Sequence, residues 1–73
     1  MTTCQANFRF EAHNAKAHEY QTIADRCWNK SEVAYGKNDL DGGDRHIANY
    51  FAACRLRDYH YRFACEVMEW VAE

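Results

Sequence analysis

The chain contains no proline, and only three of its 73 residues are glycine. Nothing in it therefore forces a helix to break or favours a cis peptide bond. Branched aliphatic residues are scarce as well: Leu, Ile and Val together number seven, too few for a leucine-filled globule. No stretch approaches the roughly 18 apolar residues of a membrane span. No basic segment followed by an apolar one marks a signal peptide. Charge of one sign is also lacking. Nine Lys and Arg stand against 11 Asp and Glu, a net charge of −2, too even for a dedicated nucleic-acid binder and too mild for an acidic mimic of DNA. The four cysteines, Cys4, Cys27, Cys54 and Cys65, form no Cys-x-x-Cys pair. With no secretion signal, free thiols in a reducing cytosol are expected. Cys54 and Cys65 would lie about 16 Å apart on one helix, too far to bridge to each other.

What is present is alanine and rings, 11 of each. Alanine lets helices approach closely, and a ring from the other side fills the gap, so the expected core sets rings against small residues. Rings each cover about 150–250 Å² and are also enriched at binding surfaces. The length allows a single small domain. Such a chain buries only about 60% of its unfolded surface, so a partner, a metal or a second copy would help its marginal core.

Three zones divide the chain, with no internal repeat. From Ala6 to His13 apolar and polar residues alternate: Ala6, Phe8, Phe10 and Ala12 against Asn7, Arg9, Glu11 and His13. Period two predicts an extended, β-like arm over residues 1–13. A helix is expected over 14–35, with Asn14 as N-cap and Gly36 as the left-handed residue that closes it. Its apolar stripe runs Ala17, Tyr20, Ala24, Cys27, Trp28, Ser31, Ala34, Tyr35, with Ile23 at its flank. A turn follows over 36–44, and Asp44 is the expected N-cap of a second helix over 45–72. That helix has a narrow polar face of Arg55, Asp58, Arg62, Glu66, Glu69 and Glu73. Most of the rest is apolar, in two stripes. One holds Ile47, Tyr50, Cys54, Tyr61, Cys65, Met68 and Ala72. The other holds Ala53, Leu56, His60, Phe63, Val67, Trp70 and Val71. One helix cannot cover both stripes, which points to packing or partnership. Arg57 falls inside the apolar arc, where it needs either a buried acceptor or a partner's surface. The expected fold class is all-α: an antiparallel hairpin of two long helices with an N-terminal extended arm.

Chemistry is thinly represented. Asp39-Leu40-Asp41-Gly42-Gly43-Asp44 invites a calcium loop, but counting from Asp39 puts Gly43 at position 5 and Tyr50 at position 12, where oxygen ligands belong. His13 and His18, and His60 and Cys65, lie five residues apart on helices and point in different directions, unlike structural zinc pairs. No nucleophile turn or glycine-rich oxyanion loop accompanies any thiol. The expectation is therefore a protein that is not an enzyme and holds no metal or cofactor. Residues 45–62 carry four arginines against one aspartate. Arg55 and Arg62 are candidates for nucleic-acid contact, diluted by Glu66 and Glu69 on the same face.

The opening MTTCQANFRFEAH, followed by a helical remainder, resembles the small RNA-polymerase-binding transcription regulators of lytic phages of Xanthomonas. The resemblance covers the chain as a whole and carries no diagnostic motif. It implies a protein acting in the host bacterial cytoplasm. There it would bind host RNA polymerase, inhibit initiation by interfering with the sigma factor, and promote antitermination at intrinsic terminators together with an elongation factor. It assigns no individual residue. From the residues themselves, the candidate partner-binding set is Phe8, Arg9 and Phe10 in the arm, with Tyr50, Arg57, Tyr59 and Tyr61 on the second helix. Two alternatives stand beside this one: a homodimeric four-helix bundle that binds RNA, and a phage anti-defence inhibitor of a bacterial nuclease or CRISPR complex.

Overall fold

The computed structural model describes residues 2–72, with side chains through Glu69. Two α-helices, α1 (Thr3–Gly36) and α2 (Leu40–Ala72), account for nearly all of them. They lie antiparallel in a hairpin of 54 × 14 × 10 Å. The pairings that fix its direction run from His13 against Phe63 at the open end, through Trp28 against Tyr50, to Tyr35 against Asp44 beside the turn. The all-helical hairpin expected from the sequence is present. No described helix is long and apolar enough to cross a membrane.

The seam follows a seven-residue repeat. In α1 one row is Ala17, Ala24, Ser31 and the other Ala6, His13, Tyr20, Cys27, Ala34. In α2 the rows are Gly43, Tyr50, Arg57, Ala64 and His46, Ala53, His60, Val67. Every one of these residues is buried or half-buried. A 3.5-residue period keeps two helices in register along their whole length, as in a left-handed coiled coil. The fully buried positions are almost all small: Ala6, Ala17, Ala24, Ala34, Ala53, Ala64, Val67 and Ser31. Ser31 enters the seam at little cost because its hydroxyl donates to the Trp28 carbonyl at 2.6 Å. A buried methyl stabilises by about 0.8 kcal/mol, against about 1.5–3 for a large aliphatic side chain. Length and regularity therefore replace bulk in this core.

Residues 3–13, where the sequence pattern predicts an extended arm, form the first turns of α1. The Ala6–His13–Tyr20 row runs straight into this segment, and its burial outweighs the local alternation. Helical geometry turns Phe8 to solvent, 73% exposed, while Ala6 is fully buried. The N-cap is Thr2 rather than Asn14. The Thr2 hydroxyl accepts from the Gln5 N–H and the Gln5 side chain accepts from the Thr2 N–H, both at 3.2 Å. This reciprocal pair is a capping box.

The turn is also shorter than expected. Asn38, not Gly36, takes the left-handed conformation, with φ 63°. The Asn38 N–H donates to the Tyr35 carbonyl at 3.0 Å and the Asp39 N–H to the Ala34 carbonyl at 2.9 Å, the two bonds of a Schellman motif. Helix α2 then begins five residues before the expected start. Its cap is Asp39, whose carboxylate accepts from the Gly42 N–H at 3.0 Å, and Asp44 is free to accept from Tyr35. Gly42 and Gly43 read as loop residues, yet they lie in the first turn of α2, where there is no room for a side chain. A Cβ on Gly42 would fall on the Asp39 carboxylate, and one on Gly43 on the Tyr35 ring.

Neither apolar stripe of α2 is covered whole. The seam runs between them and takes Ala53, His60, Phe63 and Val67 from one and Ile47, Tyr50 and Cys54 from the other. Large side chains are left outside on both flanks, among them Phe51 at 54%, Leu56 at 44% and Tyr59 at 54% exposed.

Candidate interaction surface

A flat two-helix rod has two broad faces, and they differ here in chemistry. On the first, aromatic and acidic groups interlock. Trp28 packs on Tyr50 with ring centroids 5.3 Å apart and donates its indole N–H to Glu32 at 3.0 Å. His18 meets the edge of Tyr61. Gln21 Nε2 donates to Asp25 at 2.8 Å, while Gln21 Oε1 accepts from Arg57 Nη1 at 2.6 Å. Arg57 Nε donates to Asp58 at 2.9 Å, and this bond holds the guanidinium charged beyond its ordinary range. At the turn, the Tyr35 hydroxyl donates to Asp44 at 2.6 Å, which raises the tyrosine's pKa above its ordinary value. Hydrogen bonding to Cys54 raises that of Tyr50.

On the second face Tyr20, Ile23 and Cys27 of α1 and Asn49, Ala52, Ala53 and Leu56 of α2 line a shallow groove of about 310 Å³. Nearer the turn this groove gives way to a cleft of about 400 Å³ lined by Arg26, Asn29, Lys30, Val33, Ala34, Lys37, Asp39 and His46.

The candidate partner-binding residues do not form one surface. Phe8, Arg9 and Phe10 lie at the open end, with Phe8 and Arg9 bordering a groove with Cys4 and Gln5. Tyr50 is half-buried against Trp28, and Arg57 is half-buried with its hydrogen bonds directed to Gln21 and Asp58. Tyr59 and Tyr61 are two residues apart on a helix and so about 200° apart around it. Tyr59 packs edge-on against His60 and Phe63, and Tyr61 meets His18 on the other side. Arg55 and Arg62 share a small surface pocket with Asp58 and Tyr59, where the aspartate dilutes their charge.

Sequence reasoning missed the Arg26–Lys30–Lys37 cleft. The signal was present: Arg9, Lys16, Lys30 and Lys37 fall on one seven-residue series, interrupted by Ile23. It passes unnoticed when the polar face of the helix is read as a single mixed surface.

His13 and His60 face one another across the seam with their Nδ1 atoms 3.1 Å apart. Phe63 stacks on His13 and Tyr20 on His60. Among the described residues no group of three or more His, Cys, Asp or Glu side chains is placed to hold a metal ion. No family model matches the chain, and neither a curated protein nor a solved structure matches it.

Proposed function

We propose that the protein is a regulator that works by docking onto a large protein complex, and that this complex is the bacterial RNA polymerase implied by the sequence resemblance. In this reading it lowers initiation by interfering with the sigma factor and favours read-through of terminators. The observation that carries the docking half is the inversion of the core. Alanine methyls fill the seam, while Phe8, Phe51, Tyr59, Leu56 and Trp28 are between 44% and 73% exposed. Large apolar groups left in water are candidate contacts for a covering surface, and aromatic side chains are enriched among the residues that dominate interface energetics.

The test is direct binding of the purified protein to RNA polymerase core and holoenzyme by interferometry, with labelled sigma monitored in parallel. The expected result is a Kd at or below about 1 µM and release of sigma. Phe8→Ser should weaken binding about tenfold with unchanged circular dichroism, because Phe8 is exposed at the open end of α1. Absence of binding to both polymerase forms at about 10 µM protein overturns the reading. The Ile23–Leu56 groove favours one second reading, a homodimeric four-helix bundle. Sedimentation equilibrium at twice the monomer mass, abolished by Leu56→Glu, would establish it.

A further inference from the structure

The two broad faces divide the charge of the chain unequally, and the division is hidden by the net charge of −2. On the aromatic face Asp25, Glu32, Asp44 and Asp58 are each held by a neighbouring side chain. On the cleft face Arg26, Lys30 and Lys37 line one open cleft with Asn29, Asp39 and His46. Among the described residues the ion pairs are Lys16–Glu19 and Arg57–Asp58, so none of the three cleft cations has a carboxylate in pairing distance. The one acid in the cleft, Asp39, is engaged as the cap of α2.

We propose that this cleft binds phosphate groups of a nucleic-acid backbone, without reading sequence. Phosphate follows from the chemistry: Lys and Arg side chains free of carboxylates, with an amide donor beside them, form a site for oxyanions. A polymer follows from the dimensions. Beyond Ile23 the cationic series resumes at Lys16, which shares its charge with Glu19 at 3.3 Å, and at Arg9, each seven-residue step rising about 10.5 Å along α1. The stretch from Lys37 to Arg9 therefore spans about 42 Å, far more than a single nucleotide. Indifference to sequence follows from what the cleft lacks. Val33 and Ala34 form its apolar wall, and no aromatic ring lines it to stack a base. The site lies away from Arg55 and Arg62, and it does not depend on the polymerase reading.

The test is fluorescence anisotropy with a labelled DNA duplex and a labelled single-stranded RNA, from about 50 to 200 mM salt. The wild-type protein should bind at low salt with an affinity that falls steeply as salt rises. Lys30→Gln/Lys37→Gln should weaken binding about tenfold and shallow the log–log salt dependence by about two units. Lys30→Arg/Lys37→Arg should retain it, and Arg55→Gln/Arg62→Gln should stay within about twofold of wild type. Circular dichroism establishes that each variant is helical, as expected for exposed lysines. Competition with inorganic pyrophosphate at matched ionic strength separates the two sources of phosphate. Weak competition supports the polymer, and full displacement assigns the cleft to a small phosphate ligand and overturns the proposal. It is equally overturned if the wild type binds neither probe at low salt, or if the Arg55/Arg62 variant loses as much as the Lys30/Lys37 variant.

Discussion

At the residue scale, Arg57, expected to matter for a partner, bridges the two helices of the hairpin. Arg57 spans from α2 to Gln21 on α1, and removing its guanidinium leaves the Gln21 amide oxygen without that donor. Arg57→Ala should cost about 1 kcal/mol of stability. A double-mutant cycle with Gln21→Ala in urea denaturation should give a coupling energy of the same order. A loss of partner binding in Arg57→Ala would then report the fold as well as the contact. Tyr35 does comparable work at the turn. Its hydrogen bond to Asp44 needs the neutral phenol, and the bond raises its pKa above the value of 10.0 expected in the unfolded chain. The sign follows: this contribution is fully present below pH 10 and is lost as pH rises through the higher folded value. Melting temperature should therefore fall on the alkaline side, above pH 10. Tyr35→Phe should flatten that fall, leaving only the part owed to Tyr50, whose pKa is also raised. Thermal melts followed at 222 nm across this range check it.

At the scale of the element, the helices were legible and their ends were not. Amphipathic spacing from Ala17 to Tyr35, and along nearly all of α2, reads directly as helix. The boundaries depend on competition among nearby signals. Gly36 is the stronger left-handed former, but the Schellman bonds place that conformation at Asn38, which tolerates it as few other residues do. Gly42 and Gly43 suggest loop, yet the crowding at the Asp39 cap and the Tyr35 ring makes glycine fit a helix there. The alternation of Ala6, Phe8, Phe10 and Ala12 likewise gives way to a seven-residue row whose partners lie on the other helix. The cap itself is testable. Asn38→Gly should leave stability unchanged or raise it slightly, because glycine adopts φ 63° freely. Asn38→Val should lower it by about 1–2 kcal/mol. Chemical denaturation of the pair distinguishes a required left-handed position from a permissive loop.

At the scale of the molecule, the composition announced alanine and rings but not where each would go. The sequence reading set rings against small residues inside one core. The structure separates them only in part, because two helices offer a single seam and no third layer. Residues at the seam centre must be small enough for the backbones to approach, so Ala17, Ala24, Ala53 and Ala64 take it. Tyr20, Tyr50 and Phe63 are half-buried beside them, and Phe8, Phe51 and Tyr59 face solvent. This is also why the candidate surface was only partly legible: exposed Phe8 and Tyr59 stand out as residues, whereas a face shared by two helices exists only once their register is known. The separation makes an inverted prediction about substitution. In most domains, truncating rings destabilises and enlarging an alanine is the smaller insult. Here Ala24→Leu should cost about 1–3 kcal/mol, because the added atoms force the helices apart at the centre of the seam. Phe8→Ser, at a far more exposed ring, should cost no more than about 0.5 kcal/mol. Urea denaturation of these two variants beside the wild type gives the comparison. A larger loss for Phe8→Ser than for Ala24→Leu would show that the rings, and not the alanine seam, hold the hairpin closed.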